Sequence, residues 1–142
     1  MGWWWKLMQN IQAIINLYKN FNRYKDYSQD EIFLHILPSI KLKQYKLHYN
    51  NKQLIGFSNW AFLNEQEEQH FLDLRHIKET QWCSGDRVWL VDLLAKDNLL
   101  QVADWTKQHF TQLLGCNKKV KWQRVYSDKV IQKSVQTKRH FV

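Results

Sequence analysis

Residues 82–92, Trp-Cys-Ser-Gly-Asp-Arg-Val-Trp-Leu-Val-Asp, join a glycine-centred turn to an apolar strand that ends on a carboxylate, Asp92. Because successive side chains of a strand point to opposite faces, the alternation predicts one face with Asp92, Val88, Leu90 and Leu94 and another with Trp89, Val91 and Leu93. Both faces are apolar, which indicates a strand that is covered on each side. A carboxylate buried there needs hydrogen-bonding or charged partners. Asp92 is therefore a candidate catalytic residue, and the alternative is an aspartate that turns to water at a frayed strand end.

The composition indicates a single domain over residues 1–142. The chain has one proline, four glycines and no low-complexity run, so no linker is predicted. Eight tryptophans, seven phenylalanines and six tyrosines predict an aromatic core. Cys83 and Cys116 have no C-x-x-C partner, so neither a zinc site nor a disulfide framework is predicted, and we expect a cytoplasmic protein. No apolar run has the length of a signal peptide or a membrane span, and neither is predicted.

The positive charge is concentrated in a basic C-terminal segment that begins at about residue 118. This segment holds eight basic residues and one acidic residue, so it carries +7 of the net charge of +8. It is either a solvated face or a surface for an acidic partner, such as a nucleic acid or an acidic protein. Trp122 and Tyr126 lie among its lysines, as in proteins that stack single-stranded bases. No recognition motif accompanies these aromatic residues, and we predict no nucleic-acid partner.

Two helices are predicted at the start of the chain. Apolar residues recur at helical spacing over residues 7–18 and predict a core-facing stripe. The three tryptophans at residues 3–5 give membrane contact as the alternative. Ser28 and the following acidic residues are typical of a capping box that begins the second helix, and Pro38 is expected to end or kink it.

The remaining elements alternate strands and helices. A hairpin over residues 44–60 is predicted to turn at Asn50-Asn51, since asparagine tolerates positive φ. Further helices are predicted to begin at Asn64 and near Asn98, and a last strand is centred on Trp122. The order α-α-β-β-α-β-α-β predicts a mixed α/β sandwich with a largely antiparallel sheet.

The signatures of several enzyme classes are absent from the sequence. There is no G-x-S-x-G elbow, no P-loop and no G-x-G-x-x-G motif. Acyl hydrolysis by a serine elbow, nucleotide hydrolysis and dinucleotide redox chemistry therefore lose support. The six histidines show no metal-ligand spacing, and no metal site is predicted.

A set of short motifs carries a resemblance to a known family. In order, they are Leu37-Pro38-Ser39-Ile40, Gln44-Tyr45, Ser58-Asn59-Trp60-Ala61, Trp82, Ser84-Gly85-Asp86-Arg87, Trp89 and Val91-Asp92. In order and spacing they resemble the RTX toxin-activating lysine acyltransferase family over roughly residues 17–126. The Ser-Gly-Asp-Arg-x-Trp-φ-φ-Asp block is the most specific of them.

The resemblance implies an acetyltransferase-like (GNAT-like) fold, with a mixed sheet flanked by helices. It also implies an enzyme that moves a fatty acyl group from acyl carrier protein to internal lysines of a pro-toxin in the cytosol. Such an enzyme would bind no cofactor or metal and would often form a homodimer. Its acidic carrier protein would suit the basic C-terminal segment. Asp92 falls at the family's catalytic aspartate, and the residues expected to shape the substrate site are Ser84, Gly85, Arg87 and Trp60.

The family's catalytic histidine has no match in this chain. Counting back from Pro38 without a gap, its position falls on Tyr24. A tyrosine near its ordinary pKa of about 10 is a poor base, although it can donate a hydrogen bond to an oxyanion. His35 lies eleven residues further on, roughly 16 Å away along a continuous helix, so we expect it to pack beneath the second helix. A fold-back that brings His35 to Asp92 is the alternative. The candidate catalytic residues are therefore Asp92, Tyr24 at the position of the family histidine, and His35.

Two other functions stay open at the level of the sequence. The missing histidine and a short segment after Asp92 are similar to a branch of the family that is associated with siderophore-microcin maturation. In that branch a siderophore is joined to a small antibacterial peptide, and a partner subunit often shares the work. A degenerate, non-catalytic subunit that holds a peptide or carrier protein is the second alternative.

Overall fold

A computed structural model describes residues 2–115, 118–125 and 130–137 of the chain. The sequence predictions that concern Cys116, Tyr126, Lys129, Lys138 and Arg139 lie outside the described residues, and a single domain over 1–142 stays a prediction. The described elements are α1 (Gly2–Tyr18), α2 (Gln29–Leu42), β1 (Tyr45–Asn50), β2 (Gln53–Leu63), α3 (Glu65–Leu74), a 3₁₀ turn (Glu79–Gln81), β3 (Arg87–Ala95), α4 (Leu99–Leu114), β4 (Lys119–Val125) and β5 (Val130–Gln136).

The five strands form one mixed sheet in the order β1-β2-β3-β4-β5. All neighbours are antiparallel except β3 and β4, which are parallel and are joined through α4. The predicted order of elements is confirmed up to β4. Strand β5 was not predicted, because its sequence is polar at Gln132, Lys133 and Ser134 and lacks the alternation of a half-buried strand. Backbone pairing with β4 forms it instead.

Helix α2 begins where the sequence predicts and ends later. Ser28 accepts a hydrogen bond from the Glu31 backbone at 3.1 Å, and the Glu31 carboxylate accepts one from the Ser28 backbone at 3.0 Å. Pro38 was expected to end or kink this helix, and the first of these expectations is wrong, because α2 continues to Leu42. Pro38 is buried, and the left-handed cap residue Lys43 donates its backbone N–H to the last turn. Packing and this cap outweigh the one hydrogen bond that proline cannot make.

The hairpin between β1 and β2 turns one residue later than predicted. Asn51 and Lys52 occupy the turn, and both have positive φ, 50° and 70°. A two-residue hairpin turn that matches strand twist needs positive φ at both central positions. The asparagine supplies the first of these at low cost, so β1 extends to Asn50.

A β-bulge in β3 changes the predicted face of Asp92. Asn59 pairs with Asp92, but the next β2 residue, Trp60, pairs with Leu90, so Val91 has no residue opposite it. An extra residue of this kind interrupts the regular alternation of side chains. The strand also continues past Asp92 to Ala95 rather than ending there.

Packing on the two sides of the sheet shows the effect of the bulge. Before it, Val88 and Leu90 pack with Phe110 of α4, and Trp89 faces the other way. After it, Leu94 packs with Tyr18 of α1, on the side that α1, α2 and α3 cover. The prediction that Asp92 shares a face with Val88 and Leu90 is therefore wrong, since Asp92 hydrogen bonds to residues of α1 and α2.

The aromatic residues are not uniformly in the core. Trp60, Trp82 and Trp89 are buried, as expected. Trp3, Trp4 and Trp5 of α1 are each more than half exposed, so the core interpretation is wrong for them. Among the described residues, no helix combines the length and the apolar character that crossing a bilayer requires.

The turn before β3 is fixed by contact with the end of β2. The backbone N–H groups of Ser84 and Gly85 both donate to the Phe62 carbonyl, at 2.7 and 3.1 Å. The Ser84 hydroxyl accepts from the Asn64 backbone at 3.1 Å. A Cβ on Gly85 would lie 2.5 Å from the Asn64 nitrogen, so only glycine fits this approach.

We expect Gly85→Ala to lower the free energy of unfolding by about 1–3 kcal/mol, because the added methyl group must displace backbone. Gly2→Ala is the matched control, since no heavy atom lies within 4 Å of a Cβ there. Urea denaturation of the two variants and the parent measures the difference. Equal stability of both variants would contradict the tight contact at Gly85.

Candidate active site

Asp92 is held in place by its backbone as well as by its side chain. Its backbone N–H donates to Asn59 Oδ1 at 2.9 Å, and the Asn59 amide donates to Ser39 Oγ at 3.2 Å. Ser39 in turn donates to the Ile36 carbonyl at 2.7 Å. This chain of bonds ties β3 to β2 and α2 at the point of the bulge. It fixes the position from which the carboxylate leaves the sheet.

The Asp92 side chain is only 1% exposed and has partners from three segments. On Oδ2, the Tyr18 hydroxyl donates at 2.7 Å and His35 Nε2 lies at 2.7 Å. On Oδ1, the Tyr24 hydroxyl donates at 2.5 Å and a nitrogen of Arg23 lies at 3.9 Å. Two neutral donors, an imidazole and a guanidinium thus compensate one buried carboxylate.

These partners keep Asp92 ionised. Burial alone would raise the pKa of the Asp92 carboxyl, but the His35 charge and hydrogen bond, together with Arg23, hold that pKa well below its usual range. Burial and the Asp92 charge raise the pKa of Tyr24 above its ordinary value, and the pKa of Tyr18 is raised in the same way. Both hydroxyls therefore stay protonated and act as donors, which excludes Tyr24 as a base near neutral pH.

The connection over residues 19–28 brings Tyr24 and His35 together. The helix does not continue past Tyr18, and successive turns place the Tyr24 N–H on the Phe21 carbonyl and the Tyr27 N–H on the Tyr24 carbonyl. The Tyr24 hydroxyl then lies 3.4 Å from His35 Nε2. The expectation that His35 packs beneath α2 is wrong, because the chain folds back and His35 contacts Asp92.

The contact with Asp92 fixes which nitrogen of His35 is free. An ionised carboxylate can only accept, so His35 Nε2 carries a proton and donates it. In the neutral imidazole the lone pair is then on Nδ1, which has no hydrogen-bond partner in the described part of the chain. The side chain is 24% exposed, so the imidazole is open on one side while Asp92 is sealed.

A cleft of about 350 Å³ lies beside the exposed part of His35, and we call it the His35 cleft. Its lining residues are Leu34, His35, Leu37, Pro38, Phe71, Arg75, His76, Ile77, Glu79, Trp82 and Val91. Most of the walls are apolar, and a few polar groups stand among them. Such a cleft suits a small, largely apolar ligand group.

The residues predicted to shape the substrate site lie elsewhere or have structural contacts. Trp60 packs against Phe110 under α4, on the other side of the sheet from Asp92. Ser84 and Gly85 fix the turn before β3, and Arg87 pairs with Glu68 at 2.7 Å. None of them contacts Asp92 through a described interaction, so their substrate-binding role stays a prediction.

Sequence reasoning missed several members of the site. Tyr18 belongs to the apolar stripe of α1 and gives no signal of a polar role, and Arg23 precedes the predicted Tyr24. Arg75 and Trp82 enter the cleft only through the tertiary packing of α3 and the 3₁₀ turn. Within the described ranges, no group of three or more metal-ligating side chains lies together, and Cys83 is a free, exposed thiol.

Solved structures show the same fold at low sequence identity. The loading GNATL domain of CurA from Lyngbya majuscula superposes with a TM-score of 0.56 and 15% identity, over 85% of this chain and 64% of that chain. The prediction of a GNAT-like mixed sheet flanked by helices is confirmed by this likeness.

Several curated relatives are similar in sequence. The leukotoxin-activating lysine-acyltransferase LktC of Pasteurella haemolytica-like sp. (strain 5943B) is 27% identical over 68% of this chain and 64% of its own length. The leukotoxin-activating lysine-acyltransferase LktC of Mannheimia haemolytica serotype A1 is 32% identical over 56% of this chain and 48% of its own length. The protein-lysine myristoyltransferase RtxC of Kingella kingae is 30% identical over 60% of this chain and 52% of its own length. The chain thus spans about half to two thirds of the length of these relatives.

The family comparison covers nearly the whole chain. The model of the RTX toxin acyltransferase family matches residues 4–139, which include every residue of the Asp92 site and the His35 cleft. This chain therefore belongs to the RTX toxin acyltransferase family.

Proposed function

We propose that this chain is a cytosolic acyltransferase that moves a fatty acyl group from acyl carrier protein to the side-chain amine of a lysine in a pro-toxin. The observation that carries the proposal is the contact of His35 Nε2 with the buried Asp92 carboxylate at 2.7 Å, at the wall of an apolar cleft. A buried carboxylate that orients a partly exposed imidazole is a recurrent arrangement for general-base catalysis. The relatives named above are lysine acyltransferases, which supports the same class of reaction.

In the proposed reaction, His35 removes a proton from the attacking amine. The lysine nitrogen forms a bond to the thioester carbonyl carbon, the C–S bond breaks, and the amine proton passes to His35 Nδ1. The carrier thiolate leaves and takes this proton from the His35 imidazolium, which returns the imidazole to its neutral form. Asp92 keeps the second nitrogen protonated and stabilises the imidazolium that forms. The products are an amide and a free carrier thiol.

Tyr24 is a positioning residue in this proposal. Its hydroxyl donates to Asp92 Oδ1, the oxygen that His35 does not use. It therefore compensates the carboxylate without competing for the same oxygen as the imidazole. The raised pKa of Tyr24 keeps this donor protonated throughout the reaction.

The charge distribution supports an acidic carrier protein as donor. Lys118 and Lys119 are exposed and line a second cleft of about 520 Å³, where the other two cations, Arg87 and Lys121, pair with Glu68. Lysine-rich surfaces attract acidic proteins and speed their association. The apolar walls of the His35 cleft suit the acyl chain that such a donor delivers.

We expect Asp92→Asn and His35→Gln each to lower the rate of acyl transfer at least about 100-fold, since each removes a part of the general base. The measurement uses acyl carrier protein with a radiolabelled myristoyl group and a panel of candidate pro-toxins. His109→Gln is the matched control, because His109 stacks on Trp105 of α4, on the other side of the sheet from Asp92. It should transfer at the parental rate.

Two outcomes of this assay would count against the proposal. Transfer that persists at the parental rate in Asp92→Asn would exclude the His35–Asp92 pair as the base. A parent chain that binds carrier protein in pull-down but never cleaves its thioester would instead be the non-catalytic subunit.

The charge of Asp92 also predicts how stability depends on pH. A carboxyl with a lower pKa in the folded state stabilises the fold above its unfolded pKa of about 3.9, and this contribution is lost as the pH falls toward the folded pKa. As the pH falls below about 4, the free energy of unfolding of the parent should decrease relative to that of Asp92→Asn by about 1.4 kcal/mol per pH unit. Urea denaturation of both proteins between pH 6 and pH 3 measures it. If the difference in unfolding free energy did not depend on pH, the pKa of Asp92 would not be lowered in the folded protein.

A further inference from the structure

We propose that Arg75 and Trp82 bind the carbonyl oxygen of the donor thioester in the His35 cleft and stabilise the negative charge that develops on it. This inference rests on the proposed acyl transfer and adds two substrate-contacting residues to it. Both side chains line the same cleft as His35. Each has a buried donor with no partner in the described part of the chain.

Trp82 is fixed by its backbone and unsatisfied at its side chain. The residue is 3% exposed, and its carbonyl accepts from the Phe62 backbone at 2.9 Å and from the Gln44 amide at 3.2 Å. Its indole Nε1–H is buried without a partner. An unpaired buried donor costs about 1–3 kcal/mol, so buried indoles usually find an acceptor. A ligand oxygen in the cleft would supply that acceptor.

The Arg75 guanidinium also has a buried N–H donor without a partner in the described part of the chain. It is the C-cap residue of α3 in the left-handed region, with φ 55°, and its backbone N–H donates to Phe71 at 2.7 Å. The Nη2 group is buried and unpaired, and Arg75 forms no ion pair with a described carboxylate. Burial first, and then the Arg23 charge, lowers the pKa of Arg75, and the Asp92 charge offsets only part of this lowering. An arginine in this environment still stays charged.

The shape of the cleft selects a carbonyl oxygen as the ligand. Leu37, Pro38 and Phe71 give it apolar walls, and Arg75 and Trp82, whose buried Nη2 and Nε1 atoms have no partner among the described residues, line it together with His35. An acyl thioester has this pattern, a long apolar chain that ends in one polar oxygen. When the amine attacks, the carbonyl π electrons move to that oxygen, and they return when the C–S bond breaks. Two donors held beside that oxygen would stabilise the charge in between.

The test substitutes each donor conservatively. Trp82→Phe removes the N–H and keeps an aromatic ring, and Arg75→Gln removes the charge. We expect each to lower kcat about 10²–10³-fold with KM for the donor changed less than about threefold. Arg75→Lys should recover part of the loss. Trp105→Phe is the matched control on the other side of the sheet, and its kcat should equal that of the parent.

Infrared spectroscopy gives a readout that a merely structural role would not move. Myristoyl carrier protein labelled with ¹³C at the thioester carbon is bound to Asp92→Asn, which is expected to bind without turnover. Its carbonyl band should lie at lower frequency than in solution, because donors polarise the bond. Adding Trp82→Phe should return the band part of the way, and adding Trp105→Phe should not move it.

The outcomes separate this inference from the proposed function. If the parent cleaves the thioester while kcat and the carbonyl band are unchanged in Trp82→Phe and Arg75→Gln, the oxygen site is wrong and the acyltransferase stands. Variants that raise only KM would also overturn it, because the donors would then act equally on ground and transition states. A parent that neither binds nor cleaves the thioester contradicts the proposed function itself.

Discussion

One buried charge organises this protein. The Asp92 carboxylate is 1% exposed within the sheet, and an ionised group there is tolerated only if donors replace its water. Those donors come from α1, from the connection over residues 19–28 and from α2, so three segments must converge on one side of β3. The donors that compensate the charge also fix the position of the carboxylate beside His35. Tyr18 and Tyr24 stay protonated, and the imidazole of His35 is held in one tautomer.

The convergence depends on a single extra residue in a strand. Because Val91 has no partner in β2, Asp92 points to the side of α1 and α2. In a regular strand it would point with Leu90 toward Phe110, into a largely apolar layer under α4 whose clustered residues include no cationic side chain. The bulge therefore decides whether the chain has a site at all. Bulges beside functional residues commonly redirect a side chain in this way.

The local parts of the fold could be predicted from the sequence, and the long-range parts could not. Ser28 and Asn64 cap their helices as predicted, because each cap needs only residues three positions away. The continuation of α2 past Pro38, the bulge at Val91 and the pairing of β5 each depend on neighbours that are distant in sequence. Asp92 could be selected as a candidate because a carboxylate in an apolar strand needs an explanation. Its partner His35 could be given only as an alternative, because the path of residues 19–28 follows from packing, not from any motif.

The exchange of Tyr24 and His35 has a consequence for the direction of attack. The resemblance implies a histidine at position 24, and here a tyrosine takes that position while the imidazole enters from α2. Both side chains contact the same carboxylate, Tyr24 at Oδ1 and His35 at Oδ2. The Tyr24 hydroxyl and His35 Nε2 lie 3.4 Å apart. An imidazole carried by α2 has its open side at the cleft that α2 forms with the C-terminal end of α3. In the proposed mechanism the amine must therefore reach His35 through that cleft, where Arg75 and Trp82 already stand. His35, Arg75 and Trp82 line this one cavity, so the proposed base and the proposed oxygen-binding groups can act on the same bound thioester.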